Sequence, residues 1–323
     1  MTWPITWDDV LAARVRIAPY VERTPLRSYA ALDAAIGARV LVKHENHLPT
    51  NAFKARNALS FMTALPADQR ARGVVAATRG NHGAGLAWAG AALGVPVVIC
   101  VPLGNNPEKN EAIRGHGAEL VESGRDYDEA VEVAQRLVRE RGLVLAHSTN
   151  DANVIAGAAT LSAELCEQVE GPLHAIVVAV GGGSQAVGAL VATRKLRPDV
   201  EVYGVQAAGA SAIHDSWHAK SRTTIERANT FADGLATRAT YDMTWPALAE
   251  GLAGFVTVTE AELAGAVRLI LRATHNLAEG AGAAGVAGAL KLRAQLAGKT
   301  VAVILSGSNI DAATLERVLR LEL

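Results

Sequence analysis

Short, continuously apolar runs alternate along this chain with longer segments whose apolar residues recur at helical spacing. The runs predict strands at Val40–His44, Val74–Ala77, Val97–Val101, Leu143–Ala146, Ala175–Val180, Val200–Gln206 and Thr300–Leu305. The segments between them predict helices near 54–64, 84–93, 107–115, 126–140, 151–168, 184–195, 260–274, 281–296 and 311–320. Strands that are apolar along their whole length and separated by helices point to parallel sheets covered on both faces. The fold class is therefore α/β, with open twisted parallel sheets. No short repeat and no low-complexity linker is visible, which suggests closely packed domains, one inserted in the other.

Residues 83–107 carry no charged side chain, a length that could span a membrane. Gly94 and Pro96 interrupt the stretch, so it reads as a helix, a stop and a buried strand. Lys plus Arg number 31 and Asp plus Glu 32, a formal net charge of −1. That balance argues against an ordinary basic nucleic-acid binder. The two cysteines, Cys100 and Cys166, make no disulfide framework, and the N-terminus has no signal-peptide pattern. A cytoplasmic protein is the expectation, with no membrane and no nucleic-acid partner.

In open α/β sheets, ligands bind beyond the carboxyl ends of the strands, so the loops there hold the candidate chemistry. After Ala175–Val180 comes Gly181-Gly182-Gly183-Ser184-Gln185, then a helix. Consecutive glycines and a helix N-terminus make a natural phosphate site, although a tight strand–helix turn would look the same. Gly181, Gly183 and Ala186 also fit the dinucleotide pattern G-x-G-x-x-A, but the next strand ends in Gln206, where that pattern wants an acid. A second loop brings Phe53 and Lys54 to a helix start. A cation opposed there by the helix dipole can have a lowered pKa and form a Schiff base, or can be plain solvated surface. A third loop, Thr78-Arg79-Gly80-Asn81-His82, offers donors for a carboxylate, with Asn81 equally able to be an N-cap.

In this order, the motifs resemble the fold-type II pyridoxal-phosphate (PLP) enzymes, and among them the threonine/serine dehydratase and serine racemase group. Thr24-Pro25-Leu26, Pro49 to Lys54, Gly80-Asn81-His82, Gly181 to Gln185, Phe231 to Gly234 and Ser306 to Asn309 carry the resemblance. It implies a large domain of residues 1–48 and 146–323 and a small inserted domain of 49–145, with PLP between them. It implies Lys54 as the Schiff-base lysine and Phe53 near the ring. It implies Gly181, Gly182, Gly183, Ser184 and Gln185 on the phosphate, Ser306 at the pyridine nitrogen, Asn81 at the ring hydroxyl and Glu279 in the cofactor shell. Thr78, Arg79, Gly80, Asn81 and His82 would take the amino-acid substrate. The implied reaction is a dehydratase (ammonia-lyase) converting a β-hydroxy amino acid to a 2-oxo acid and ammonia, in a homodimer. Another PLP β-elimination or β-replacement, or a PLP-binding protein without turnover, are the alternatives.

The chain departs from the family pattern at several places. Arg79 stands where serine racemases have a serine. Arginine stays protonated and is a poor general base, so efficient racemisation is not expected. It could bind a second substrate carboxylate, which would favour 3-hydroxyaspartate, or form a salt bridge to a nearby acid. Gln206 and Ala212 replace the family's divalent-cation ligands, so no metal is expected there. His214 and His218, at i and i+4, read as a solvated helix face rather than a zinc site. Asn51, Ala52 and Asn57 also replace residues usual in the family, as does Ser184.

Overall fold

The protein, examined as a computed structural model, is described from residue 3 to residue 323. Ten strands form two sheets. They are β1 (Leu26–Ser28), β2 (Arg39–His44), β3 (Val74–Ala77), β4 (Val97–Val101), β5 (Glu119–Glu122), β6 (Val144–Leu145), β7 (Ala175–Ala179), β8 (Glu201–Ala207), β9 (Gly254–Val258) and β10 (Thr300–Leu305). The larger sheet has the order β1-β2-β10-β7-β8-β9 and the smaller β5-β4-β3-β6. Every pairing is parallel except β1 with β2. The segment between β2 and β7 supplies the whole of the smaller sheet, and the chain then returns to complete the larger one.

Alternation along the strands assigns each residue to one of two cores. In the larger sheet Val40, Val42, Val177, Val205, Val301 and Val303 face one layer of helices. Leu41, Ile176, Val178, Val202, Ala302 and Ile304 face the other. The smaller sheet repeats the device, with Val74, Ala76, Val97 and Ile99 on one side and Val75, Val98 and Cys100 on the other. Both faces are dry, which is why these strands show unbroken apolar runs. The three strands absent from the sequence reading, β1, β5 and β9, all lie at sheet edges, where burial is partial and the pattern fades.

The uncharged stretch 83–107 divides into the helix Asn81–Leu93 and strand β4, with Gly94 left-handed at the helix end. No helix among the described residues is long and apolar enough to cross a membrane. The segment expected as one helix near 281–296 breaks at Leu292 into Gly280–Lys291 and Arg293–Leu296.

The helix Lys54–Ala64 lies between the two sheets' helical layers and packs against the helices Asn81–Leu93 and Ala152–Gln168. A Cβ added at Gly157 would lie 2.5 Å from the Arg56 carbonyl oxygen, so glycine there permits the helices to touch. Beside that crossing sits a buried ionic cluster. Arg56 donates to Glu45 at 2.7 and 3.1 Å and to Glu164 at 2.7 and 2.9 Å. Lys43 donates to Glu164 at 2.9 Å and to the Thr24 carbonyl at 2.9 Å. The side chains of Lys43, Glu45 and Arg56 are wholly buried. Two cations and two anions cancel, and nearly every polar atom is bonded, which is the condition for burying charge at tolerable cost. Arg56→Met removes one charge, leaves Glu45 without a cation and leaves Glu164 with Lys43 alone. It is expected to cost about 3–5 kcal/mol, read as a lower urea midpoint, whereas an unchanged midpoint would show that the cluster contributes nothing.

Candidate active site

The loops at the carboxyl ends of β2, β3, β6, β7 and β10 converge on one cavity of about 700 Å³. One wall of it is the glycine loop after β7. A Cβ at Gly181 would lie 2.1 Å from the Gly234 carbonyl oxygen, and one at Gly182 would lie 2.1 Å from Thr149 Oγ1. Gly183, with φ +100°, turns the chain into the helix Ser184–Leu196, whose first-turn N–H groups have no partners within the helix. Ser184 and Gln185 are buried, and Gln185 Nε2 is a buried donor with no protein partner. This is a cradle of donors without a carboxylate, suited to an anion.

Lys54 is the first residue of its helix. Its amine donates to the Ser148 carbonyl at 3.2 Å and lies 5.0 Å from the centroid of the Phe53 ring. Burial pushes its pKa down to about 8. Two histidines are kept neutral beside it. Burial, and then the Lys54 charge, push His82 down to about 3. The His82 Nε2–H donates to the Ala146 carbonyl at 2.9 Å, which fixes the tautomer and leaves Nδ1 buried with no partner. His147 is likewise lowered by burial and by Lys54. Its Nδ1 accepts the N–H groups of Thr149 and Asn150 at 3.0 and 2.8 Å, so in the neutral ring Nε2 carries the proton.

Ser306 directly follows β10, buried, with its hydroxyl 3.4 Å from the Ala281 carbonyl. Asn81 is the first residue of its helix; Gly80 takes the N-cap position. Asn81 Nδ2 donates to Glu279 at 2.6 Å, and its Oδ1 accepts from Asn309 at 2.7 Å. Glu279 is raised to about 7 by burial, with Lys109 and the Asn81 bond pulling the other way. Thr78 Oγ1 accepts the Gly80 N–H at 3.2 Å. Arg79 is exposed at the cavity wall and makes no ion pair among the described residues. All the site residues named from sequence therefore line this one cavity.

The structure adds residues that the sequence reading passed over. Chief among them is the loop after β6, where His147, Ser148 and Thr149 touch Lys54 and Gly182. Its signal was available, since it too follows a predicted strand. At the rim, Lys109 pairs with Asp233 and Arg238 with Asp128, joining segments far apart in the chain. Gln206 spends its amide on structure. Its Oε1 accepts the N–H groups of Ile213 and His214 at 3.2 and 3.0 Å, and its Nε2 donates to Thr237 at 3.1 Å. On the helix face of His214 and His218, His218 is exposed and His214 partly so; His214 also meets the Phe255 ring edge-on, and His218 bonds the Phe255 carbonyl at 3.1 Å. Among the described residues no cluster of three or more His, Cys, Asp or Glu side chains could hold a metal ion.

Residues 17–307 match the family described as pyridoxal-phosphate dependent enzyme. The chain is 37% identical over 309 residues to a biosynthetic L-threonine dehydratase of Burkholderia multivorans, covering 94% of this chain and 60% of that protein. It is 33% identical over 306 residues to an L-threo-3-hydroxyaspartate ammonia-lyase of a Pseudomonas species, covering 95% of this chain and 96% of that one. Maize serine racemase superposes with a TM-score of 0.93 at 30% identity, over 99% of this chain and 98% of the other. With the glycine cradle and a half-buried, low-pKa lysine sharing one cavity, the match spans both sheets, and this chain belongs to the pyridoxal-phosphate-dependent enzyme family.

Proposed function

We propose that this protein is a PLP-dependent ammonia-lyase that converts a β-hydroxy amino acid to a 2-oxo acid and ammonia, with 3-hydroxyaspartate preferred to threonine. The observation that carries the reading is the half-buried Lys54 amine in the same cavity as the donor-rich glycine loop. The unpartnered Gln185 amide and a cradle with no room for side chains fit a phosphate at one end. Lys54 fits an aldehyde at the other. In this reading Gly181 to Gln185 hold the phosphate, Phe53 and Asn81 border the ring, and Ser306 meets its nitrogen.

When bound, PLP supplies an aldehyde for the substrate amine and a ring that draws electrons from Cα. Near neutral pH a useful fraction of Lys54 is uncharged, so its amine can take the α-proton. Ser306, a neutral hydroxyl, cannot hold a full positive charge on the ring nitrogen as a carboxylate would, which favours loss of a β-substituent. His82, locked neutral, bonds Ala146 and takes no part in proton supply. The β-hydroxyl and α-proton leave as water, and a water then releases the nitrogen as ammonia. Arg79, protonated and free of ion pairs among the described residues, suits a second substrate carboxylate and not the base needed for racemisation. The likeness to an L-threo-3-hydroxyaspartate ammonia-lyase supports the same substrate. In this reading the protein is a cytoplasmic homodimer with a large domain, 1–48 with 146–323, and a small one, 49–145. Two buried free cysteines suit a reducing compartment, and the family resemblance supports the dimer.

The purified protein is expected to show a visible absorption band that borohydride abolishes and Lys54→Ala lacks. It should release a 2-oxo acid from a panel of hydroxy amino acids, and a protein that stays colourless with added PLP would sink the reading. For Arg79→Ala, kcat/KM on 3-hydroxyaspartate should fall about 10- to 100-fold while threonine changes little. Equal losses on both substrates would remove Arg79 from the specificity argument. Because Lys54 loses its proton near pH 8, capture of PLP by cofactor-free protein should speed up with rising pH and level off above about 8. A rate still climbing toward pH 10 would mean an ordinary lysine.

A further inference from the structure

Asn309 follows the last strand and is half-buried beside the cavity, and its amide is held in one orientation. One Nδ2 hydrogen goes to the Thr50 carbonyl at 2.9 Å and the other to Asn81 Oδ1 at 2.7 Å. Its own Oδ1 accepts from Asn51 at 3.4 Å, and Asn51 reaches it from a left-handed backbone, φ +55°. A backbone carbonyl can only accept, so Thr50 dictates which end of Asn309 faces it. The reversed amide would set an oxygen against two acceptors, which settles the assignment by the network. With Asn309 donating, Asn81 must present its oxygen to Asn309 and its Nδ2 to Glu279, 2.6 Å away. Asn309 thus donates both ways, to the Thr50 carbonyl and to Asn81, and Asn81 passes the donation on to the carboxyl.

We propose that Asn309 is a positioning residue which, through Asn81, holds Glu279 as a hydrogen-bond acceptor and so favours its ionised form against the burial that opposes it. The Glu279 backbone N–H donates to the Gly307 carbonyl at 3.1 Å, and the carboxyl occupies the space that a side chain at Gly307 would need, since a Cβ there would lie 2.4 Å from Glu279 Oε1. The other charges near it are Lys109, which favours the carboxylate, and Asp233, which opposes it. Asp311 lines the small pocket that Glu279 shares with them, and Lys54 lies on the wall of the main cavity. None of these is bonded to Glu279 by a side chain, so among the described residues the Asn81 amide is its one direct side-chain partner. Without Asn309 the Asn81 amide is free to turn over and offer its oxygen to the carboxyl. Only a protonated Glu279 can bond that oxygen, so the proton is then favoured.

The inference takes from the proposed function only the identity of the cavity. Its test reads Glu279 directly, so a protein without lyase activity leaves it standing. The protein is labelled with [13Cδ]glutamate and the carboxyl resonances are followed against pH, with Glu279→Gln locating the one in question. In Asn309→Leu, an uncharged variant of nearly equal shape, the Glu279 midpoint should rise by about one pH unit. Placed on Asn81→Ala, where the relay is already cut, the same substitution should move the midpoint no further. Asn309→Ser, too short to bridge Thr50 and Asn81 together, replaces the leucine variant if that one fails to fold. An unmoved midpoint in the single variant, or the same shift with Asn81 already removed, overturns the proposal.

Discussion

The position of Lys54 rests on a buried guanidinium two residues away. Arg56 joins the helix that begins at Lys54 to Glu45, just past β2, and to Glu164 on the long helix Ala152–Gln168. A lone charge at that depth would be prohibitive, so the four-residue cluster assembles as a unit or not at all. Its geometry is therefore stiff, and the helix start inherits that stiffness. Close helix contact at Gly157 adds a steric stop from the other side. A lysine whose amine must meet a reacting carbon benefits from a backbone that does not drift, because small misplacements are costly to reaction rates.

The cavity separates charge by depth. At its floor Lys54 and Glu279 are both drawn toward neutrality by burial, to about 8 and about 7. The histidines that flank Lys54 are neutral, each with its proton assigned by a backbone partner. Full charges stand at the rim, and the pairs Lys109–Asp233 and Arg238–Asp128 tie the segment after β8 to segments next to the smaller sheet. Arg79 and Arg227 line the cavity without an ion-pair partner among the described residues. A dicarboxylic substrate would complete that pattern.

Local chemistry explains several departures from the family pattern. Asn51 replaces a glycine at a left-handed position, which asparagine tolerates better than most residues, and its side chain then reaches Asn309. Gln206 meets three partners with a neutral amide, linking β8 to the start of the helix Ala212–Ala219 and to Thr237. These roles depend on residues distant in sequence and are invisible in a linear reading.

The central strands were legible in the chain because burial on both faces leaves an unbroken apolar run, as in β3, β4 and β10. The glycine loop and Lys54 were legible because backbone access and a helix start are local properties. Edge strands β1, β5 and β9 were not, since half of their surroundings is solvent and their composition relaxes accordingly. Nor could the sequence show the Thr50–Asn309–Asn81–Glu279 relay or the Lys43–Glu45–Arg56–Glu164 cluster. Hydrogen-bond polarity and charge cancellation are properties of atoms brought together, and these atoms come from segments more than a hundred residues apart. Sequence by itself determined the layers and the reactive groups; tertiary structure decided which of those groups are neutral, which are charged, and which way each hydrogen bond points.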